Sequence, residues 1–587
     1  YPTAAVNTGD FTAPDALVAD GGTIKLVATG SLSGDTGATV AGALLADGGI
    51  TIEAATINLT SLSTLDTRDK VITNPSGDVT LTATQSDEIG FGFAAATTSI
   101  TLDGDITANN ISAVAESTAI SSFYEDPADS AEMALAGKFL GISAFLMQAD
   151  ATSEVSVGAA ANLSGTGDIT LSSESKALTQ AAARIIGGKE NALSAIYTGS
   201  NATSNTHIAS GAEVLAGGDL TVVAHNEAYV NASAMQVITS TDNKMMFALA
   251  IGVSNVDAKA TIDSGAILDA NNLVLSAENQ NYYMVSASAM STTDSKYGVS
   301  VAVGDFNTQA VASMGASLGT TLDKAANVSI TALDRTVHQQ VKSGVTVGAG
   351  AVVRKGKSSA TGLQTWVTDK FNSSAPEGAD APKEKDPTDP TDRSKDKISF
   401  KGGLAFTLNL SEHDAYAHLG NNVSAQIMAP EIQAAGNVVV ASAIDLGTDN
   451  ATIAGGNDKA AHGADEGAWR TSAESEVNGA DDSSLSEKSV AAALSFAVNK
   501  GTAIAEIGDN VTINAANVGV LAQQKMPIVS SYDTWDSFGS VISKLNGMAG
   551  LQNNILTSFV KASASADKDA YGGALNVVWN DLDTKAW

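Results

Sequence analysis

No cysteine occurs in the 587 residues, so neither a disulfide nor a thiolate metal site holds this chain together. Basic residues are also scarce: 32 Lys and Arg stand against 64 Asp and Glu, a formal charge of −32. Such an acidic surface repels nucleic acid and anionic membranes, so neither is an expected partner. No run of about 18 apolar residues is present, and no membrane-spanning helix is expected. The chain opens Tyr1-Pro2-Thr3 without an initiator Met, a basic n-region or a signal-type apolar run. That reads as a removed leader or as a piece of something longer. HExxH, GxSxG and Walker patterns are missing, so no catalytic residue and no cofactor is nominated.

What is present is small and apolar. Hydrophobic residues make up 44% of the chain, mostly Ala, Val, Ile and Leu, while aromatics reach only 5%. A core of small and β-branched side chains suits thin, tightly stacked layers. The acidic excess forms a solvated coat and offers carboxylates to Ca²⁺, so weak Ca²⁺ binding at Asp/Asn turns stays open. The β-roll nonapeptide is absent, and Gly455-Gly456-Asn457-Asp458 is only a fragment of it.

The chain repeats itself. GDITL (167–171), GDLTV (218–222), NNLVL (271–275), ANVSI (326–330), GNVVV (436–440) and ANVGV (516–520) are one phrase, and GDVTL (77–81) is an earlier relative. The steps from Ile169 to Leu220, to Leu273 and to Val328 are 51, 53 and 55 residues. Each copy alternates apolar and polar residues behind a Gly, Asn or Asp, the pattern of a tight turn followed by a strand with one buried face. A second phrase keeps step with the first: LSAIYTGSN (193–201), LAIGVSN (249–255), VSVAVGDFN (299–307), LAFTLN (404–409), LSFAVN (494–499) and LNVVWN (575–580). A third signature lies between them, a small-residue strand ending Ser210-Gly211-Ala212 or Ser264-Gly265-Ala266. The first 115 residues differ, with DGGTIKLVATG, DGGITIEAATINLT and GDVTLTAT spaced about 30 residues apart, as in right-handed β-helix coils.

A period of about 50 residues means one supersecondary unit stacked on copies of itself. Separate β-sandwich domains of that size would each need a core that 50 residues scarcely supply. The expected fold is therefore all-β: an elongated parallel β-solenoid, a right-handed β-helix with ~50-residue modules over 116–587, surface insertions and one or two short helices. At two coils per module, some two dozen coils at ~4.8 Å give a rod on the order of 100 Å long. A competing local reading makes 282–290 and 297–304, joined by STTDSK, an antiparallel hairpin.

Insertions break the period at 354–400, 443–488 and 530–570, always ahead of the second phrase. In the last of these, Phe538, Val541, Ile542, Leu545, Met548, Leu551 and Ile555 fall at helical spacing, and a weaker helical pattern runs through 129–141. Loops on one side of a solenoid are a common binding surface. Trp366, Trp469, Tyr532 and Trp535 lie in or near these insertions and are the candidate contact residues. His413 and His418, five apart on a strand, point to opposite faces and do not share a metal.

The stretches GGLAFTLNLSEHDAYAHLGNNVSA (402–425) and AAALSFAVNKGTAIAEIGDNVTINAANVGVLAQ (491–523) resemble the repeats of very large bacterial surface proteins, the filamentous-haemagglutinin-like and leukotoxin-type filamentous adhesins. The likeness covers roughly 142–587 and is one of repeat texture, not of a catalytic motif. It implies export, a β-helical shaft, and a non-enzymatic adhesive or filament role at the cell surface. The expected partners are further copies of the chain or a longer parent chain, and surface glycans or receptors of host or neighbouring cells. A polysaccharide lyase or hydrolase built on a β-helix and a calcium-dependent adhesive module are the alternatives.

Overall fold

A computed structural model describes residues 5–7, 11–12, 16–19, 23–29, 37–40, 43–46, 48–68, 75–123, 142–186, 191–238, 245–291, 296–319, 325–347, 400–420, 430–446, 469–478, 488–525, 528–530, 555–565 and 569–587. Every regular element among them is a strand. Three strands make one coil. Asp219–Ile238 and Met245–Ile262 are long, Ile267–Asp269 is short, and Asn272–Ser291 opens the next coil. Each strand pairs in parallel with the strand three places further on. Among the described residues, equivalent strands thus build three sheets of 14, 11 and 10 strands, called I, II and III in the order the chain visits them. The parallel β-solenoid expected from the repeat is the observed fold.

The module is one wide coil, not two narrow ones. Ile169, Leu220, Leu273 and Val328 are successive partners in sheet I, so each period advances the stack by a single rung. The 11 rungs of sheet II stand about 50 Å tall, half the height expected from two dozen coils. A 20-residue strand such as Asn272–Ser291 runs about 66 Å. The hairpin reading is also wrong. Asn272–Ser291 lies in sheet I and Tyr297–Met314 in sheet II, and each is paired in parallel on both edges. With both edges taken, neither strand has ladder groups left for the other. The one antiparallel contact among the described residues is the isolated bridge between Arg68 and Pro75.

The first repeated phrase marks the turn from sheet III into sheet I, and its Asn and Asp side chains form a column. The Asp78 carboxylate accepts from Asn110 Nδ2 (2.9 Å), Asn110 Oδ1 from the Asp168 amide (2.8 Å), and Asp168 from the Asp219 amide (2.9 Å). The column continues through Asn272 to Asp219 (2.7 Å), Asn327 to Asn272 (3.0 Å), the Asn437 amide to Asn327 (3.1 Å) and Asn517 to Asn437 (2.9 Å). Each residue satisfies a group on the adjacent rung, which a turn otherwise leaves to water. The third signature is the turn from sheet II into sheet III. Gly211 and Gly265 both sit there at φ +91°, a region that costs a side-chain-bearing residue strain.

Two apolar cores fill the coils. Where the three sheets enclose a prism, Leu220, Val222, Ile262, Leu268, Leu273 and Leu275 pack together. Further along, sheets I and II face each other directly over a core rich in Ala and Val, including Ala232, Ala248, Ala250 and Val285. The gap there is narrow: a Cβ on Gly252 would lie 2.4 Å from Val285 Cγ2. Between the two cores runs a buried polar seam. In sheet I it stacks Ser117, Ser175, Asn226, Asn279 and Asp334 on consecutive rungs. Ser153 bonds both Ser175 (2.8 Å) and Ser204 (3.1 Å), Ser204 donates to Asn226 (2.7 Å), and Asn226 donates to Asn279 (3.0 Å).

The insertions are less simple than the composition of 443–488 and 530–570 implies. Asn437–Leu446 and Trp469–Asn478 both pair with the single strand Asn327–Val347, the first along its beginning and the second along its end. One rung is therefore split in two, with Leu446 closing its first strand and Trp469 opening its second. Ile555–Ser565 continues the next rung in the same way by pairing with Trp469–Asn478. The helices expected through 129–141 and from Phe538 onward fall outside the described residues, except that Ile555 opens a strand.

If the Asn/Asp column holds the rungs in register, replacing Asn272 with Ala removes two inter-rung bonds and leaves the Asp219 acceptor and the Asn327 donor unmet. The expected loss is about 1–3 kcal/mol in urea unfolding, against less than about 0.5 kcal/mol for Thr221→Ala on the outer face of the neighbouring strand Asp219–Ile238.

Candidate functional site

The second repeated phrase builds a surface. Its strands lie in sheet II: Ile142–Val157, Asn191–Ile208, Met245–Ile262, Tyr297–Met314, Phe400–Leu419, Lys488–Ile507 and Asp569–Ala586. Along a strand, alternate residues face the interior. Ala248, Ala250 and Gly252 point inward against sheet I, so Phe247, Leu249, Ile251 and Val253 point outward. Parallel register repeats this on every rung. One outward row runs Ile142, Leu193, Phe247, Val299, Leu404, Ala492, Gly573. The next runs Ala144, Ala195, Leu249, Val301, Phe406, Leu494, Leu575, and the third Leu146, Tyr197, Ile251, Val303, Leu408, Phe496, Val577. No charged residue occurs in these three rows.

A fourth row, Gln148, Gly199, Val253, Asp305, Leu410, Val498 and Trp579, contains a single charge. Beyond it the face turns polar at Asp150, Asn201, Asn255, Asn307, Glu412, Lys500 and Asp581. That boundary is itself a hydrogen-bonded column: Asn201 donates to Asp150 (2.7 Å) and Asn255 to Asn201 (3.2 Å). Ile142, Leu146, Leu575, Val577 and Trp579 are 40–64% exposed. A shallow depression of about 220 Å³ lies between Leu146, Tyr197 and Ile251. Among the described residues, no strand covers this face.

Register corrects the alignment of the phrase. The Asn that ends LAIGVSN and VSVAVGDFN, Asn255 or Asn307, faces out, whereas Asn409 and Asn499 face the buried seam. Asn409 donates to Thr471 (3.1 Å), and Asn499 bonds Ser411 and Asn580 (2.8 Å each). Sequence reasoning placed the contact residues in the insertions and passed over the sheet face. The missed signal was the loss of alternation: Leu249-Ala250-Ile251 and Leu494-Ser495-Phe496-Ala497-Val498 put apolar residues on both faces of one strand. Of the four aromatic candidates, Trp469 begins a strand of sheet I opposite Gln339, away from the apolar rows. Trp366, Tyr532 and Trp535 lie outside the described residues.

Two polar clusters lie away from the apolar rows. His413 and His418 do point to opposite faces. His413 is fully buried in the seam, its Nδ1 2.7 Å from the Asp334 carboxylate, which also accepts from Thr308 (2.6 Å) and Asn281 (3.0 Å). His418 faces outward, 3.5 Å from Glu506, and burial holds its pKa below the ordinary value against that carboxylate. The sealed Asp334 group has no path to a substrate, and its geometry fits a structural tie. On the outer face of sheet I, Glu174, His225 and Glu227 converge, with Lys176 3.0 Å from Glu227 and Glu278 3.9 Å from His225. Lys176 already neutralises part of this charge, and the cluster reads as a cross-rung ion-pair network.

No family model matches this chain, and no curated protein or solved structure is similar to it.

The network on sheet I makes stability depend on pH. Burial disfavours the His225 imidazolium, but pairing with Glu227, Glu278 and Glu174 outweighs it and raises the pKa. Pairing with His225 lowers the pKa of Glu227 against the opposing effect of burial, with help from Lys176. The histidine's contribution is therefore full below its unfolded pKa of about 6.5 and is lost as pH rises through the higher folded value. The glutamate's is present above its unfolded value and is lost as pH falls through the lower folded one. The difference in urea midpoint between wild type and His225→Gln should be larger at about pH 5.5 than at about pH 8.5. An equal difference at both would contradict the network.

Proposed function

We propose that this chain is a structural, non-catalytic protein of the cell exterior, the shaft of an adhesin or a building block of a surface filament that assembles end to end. The observation that carries the reading is the commitment of each repeat to stacking. The first phrase supplies the turn column, the second a two-sided apolar strand, and the third the glycine turn, all once per rung. The texture shared with filamentous adhesins supports the same reading. So does the freedom from cysteine, since stability rests on the ladders and buried cores alone.

The strand Asp569–Ala586 is paired on one edge among the described residues, with Tyr571, Leu575 and Trp579 exposed along it. An open parallel edge accepts a further rung of the same kind, from a continuing chain or from another copy. Surface glycans or receptors of neighbouring cells are the proposed targets of the assembled shaft, and its place is outside the cell. Negative-stain micrographs at rising protein concentration test the assembly. The expected images are particles growing in one dimension by steps of about 50 Å, the height of one stack. Particles of one fixed length at every concentration would contradict end-to-end growth.

A further inference from the structure

We infer that the apolar outer face of sheet II is a lateral interface at which two copies of this chain pair face to face. This inference goes beyond the shaft reading and concerns the flank of the stack, not its ends.

Area is the first argument. Four outward rows about 6.6 Å apart cross seven rungs about 4.8 Å apart, a footprint on the order of 900 Å². A stable protein–protein interface needs about 800 Å² from each partner, and apolar patches on monomers seldom exceed about 300–600 Å². Composition is the second. In a chain with 64 acidic residues, the three central rows hold no charge, and the fourth holds only Asp305. Exclusion of charge from the three central rows, with Asp305 alone in the fourth and Asn, Asp, Glu and Lys in the bordering row, is the anatomy of a buried interface.

The choice of a second copy rests on periodicity and charge. The face is produced by repetition, with one Leu/Ile/Val/Phe set per rung, so its bumps recur at the rung spacing. A surface with the same recurrence is the same face of another copy, and two sheets pack in this way about 10 Å apart. A body of charge −32 meets its like at least electrostatic cost across a surface whose three central rows carry no charge. The polar bordering row has one cation, Lys500, against Asp150, Glu412 and Asp581, and on the opposite border Lys488 is paired with Asp569 (3.5 Å). A lipid surface calls for the opposite, basic residues around the apolar centre. A face pairing with itself closes at two copies.

The test is sedimentation equilibrium of the full chain from nanomolar to micromolar concentration. The expected wild-type result is a reversible monomer–dimer equilibrium, in species with a monomer mass of 59.2 kDa. Replacing Val301 and Phe406 together with Lys should raise the dissociation constant at least about 30-fold. Because two lysines on one face can disturb folding, Ile251→Thr with Val303→Thr gives a milder second reading, expected to weaken pairing in the same direction. Thr502→Lys, on the polar half of the same sheet face, should leave pairing unchanged. A wild type that stays monomeric throughout, including one that binds lipid vesicles instead, would overturn the inference. So would variants that pair as tightly as wild type while keeping its far-ultraviolet dichroism and urea midpoint. End-to-end growth gives an open series of masses and lateral pairing a closed pair, so the two proposals fail separately.

Discussion

The whole molecule depends on the alignment of each coil with the coil before it. Parallel pairing in strict register places like residue over like, so a favourable contact made once is made again on every rung. The column from Asp78 to Asn517 is the clearest case. Its members are Asp or Asn throughout, and each link joins a turn to the turn above through a side chain. A slip of one residue would break the column and turn the apolar interior of sheets I and II outward. The glycine turns at Gly211 and Gly265 and the seam through Asn226 and Asn279 impose the same register at two other points of the coil. Register is thus set three times over, which suits a stack without disulfides.

The seam also explains the size of the coil. Sheets I and II could have closed around a small prism, as in a narrow coil of about 30 residues. Instead they run on past the seam and face each other over a second core of Ala, Val and Gly. Small side chains are required there because the sheets approach too closely for larger ones at Gly252 and Gly304. Tyr283 and Phe306, ring centroids 4.1 Å apart and nearly parallel, stack across this gap, with Phe306 lying against Gly304. The scarcity of aromatics in the composition follows from this geometry.

Much of the architecture was legible in the sequence because the repeat exposes it. Alternation after Gly-Asp or Asn-Asn located the sheet I strands, and the Ser-Gly-Ala signature located a turn that the backbone makes at positive φ. The number of coils was not legible. A stretch such as Asn279-Gln280-Asn281 inside a 20-residue strand has the composition of a turn, because the buried seam uses the residues that turns use. One wide coil therefore looks like two narrow ones. The split rung was hidden for a related reason: Trp469–Asn478 is polar enough to pass for loop, and only its partners across the ladder reveal it as strand. The apolar face of sheet II was visible as lost alternation in Leu249-Ala250-Ile251, but that pattern alone does not say which side is covered.

The most direct test of one module per coil is removal of a single complete coil. Deleting residues 219–271 joins Gly218 to Asn272, which occupies the position of Asp219 one rung further on. The account predicts a folded protein with cooperative unfolding, one rung shorter, in which the Asn272 backbone amide takes over the bond that the Asp219 amide donates to Asp168. Deleting 219–244 alone, which removes the sheet I strand and leaves its sheet II partner, should abolish cooperative unfolding. If the half-coil deletion folds as well as the whole-coil deletion, or if neither folds, the claim that each module is one rung sealed by its neighbours is wrong.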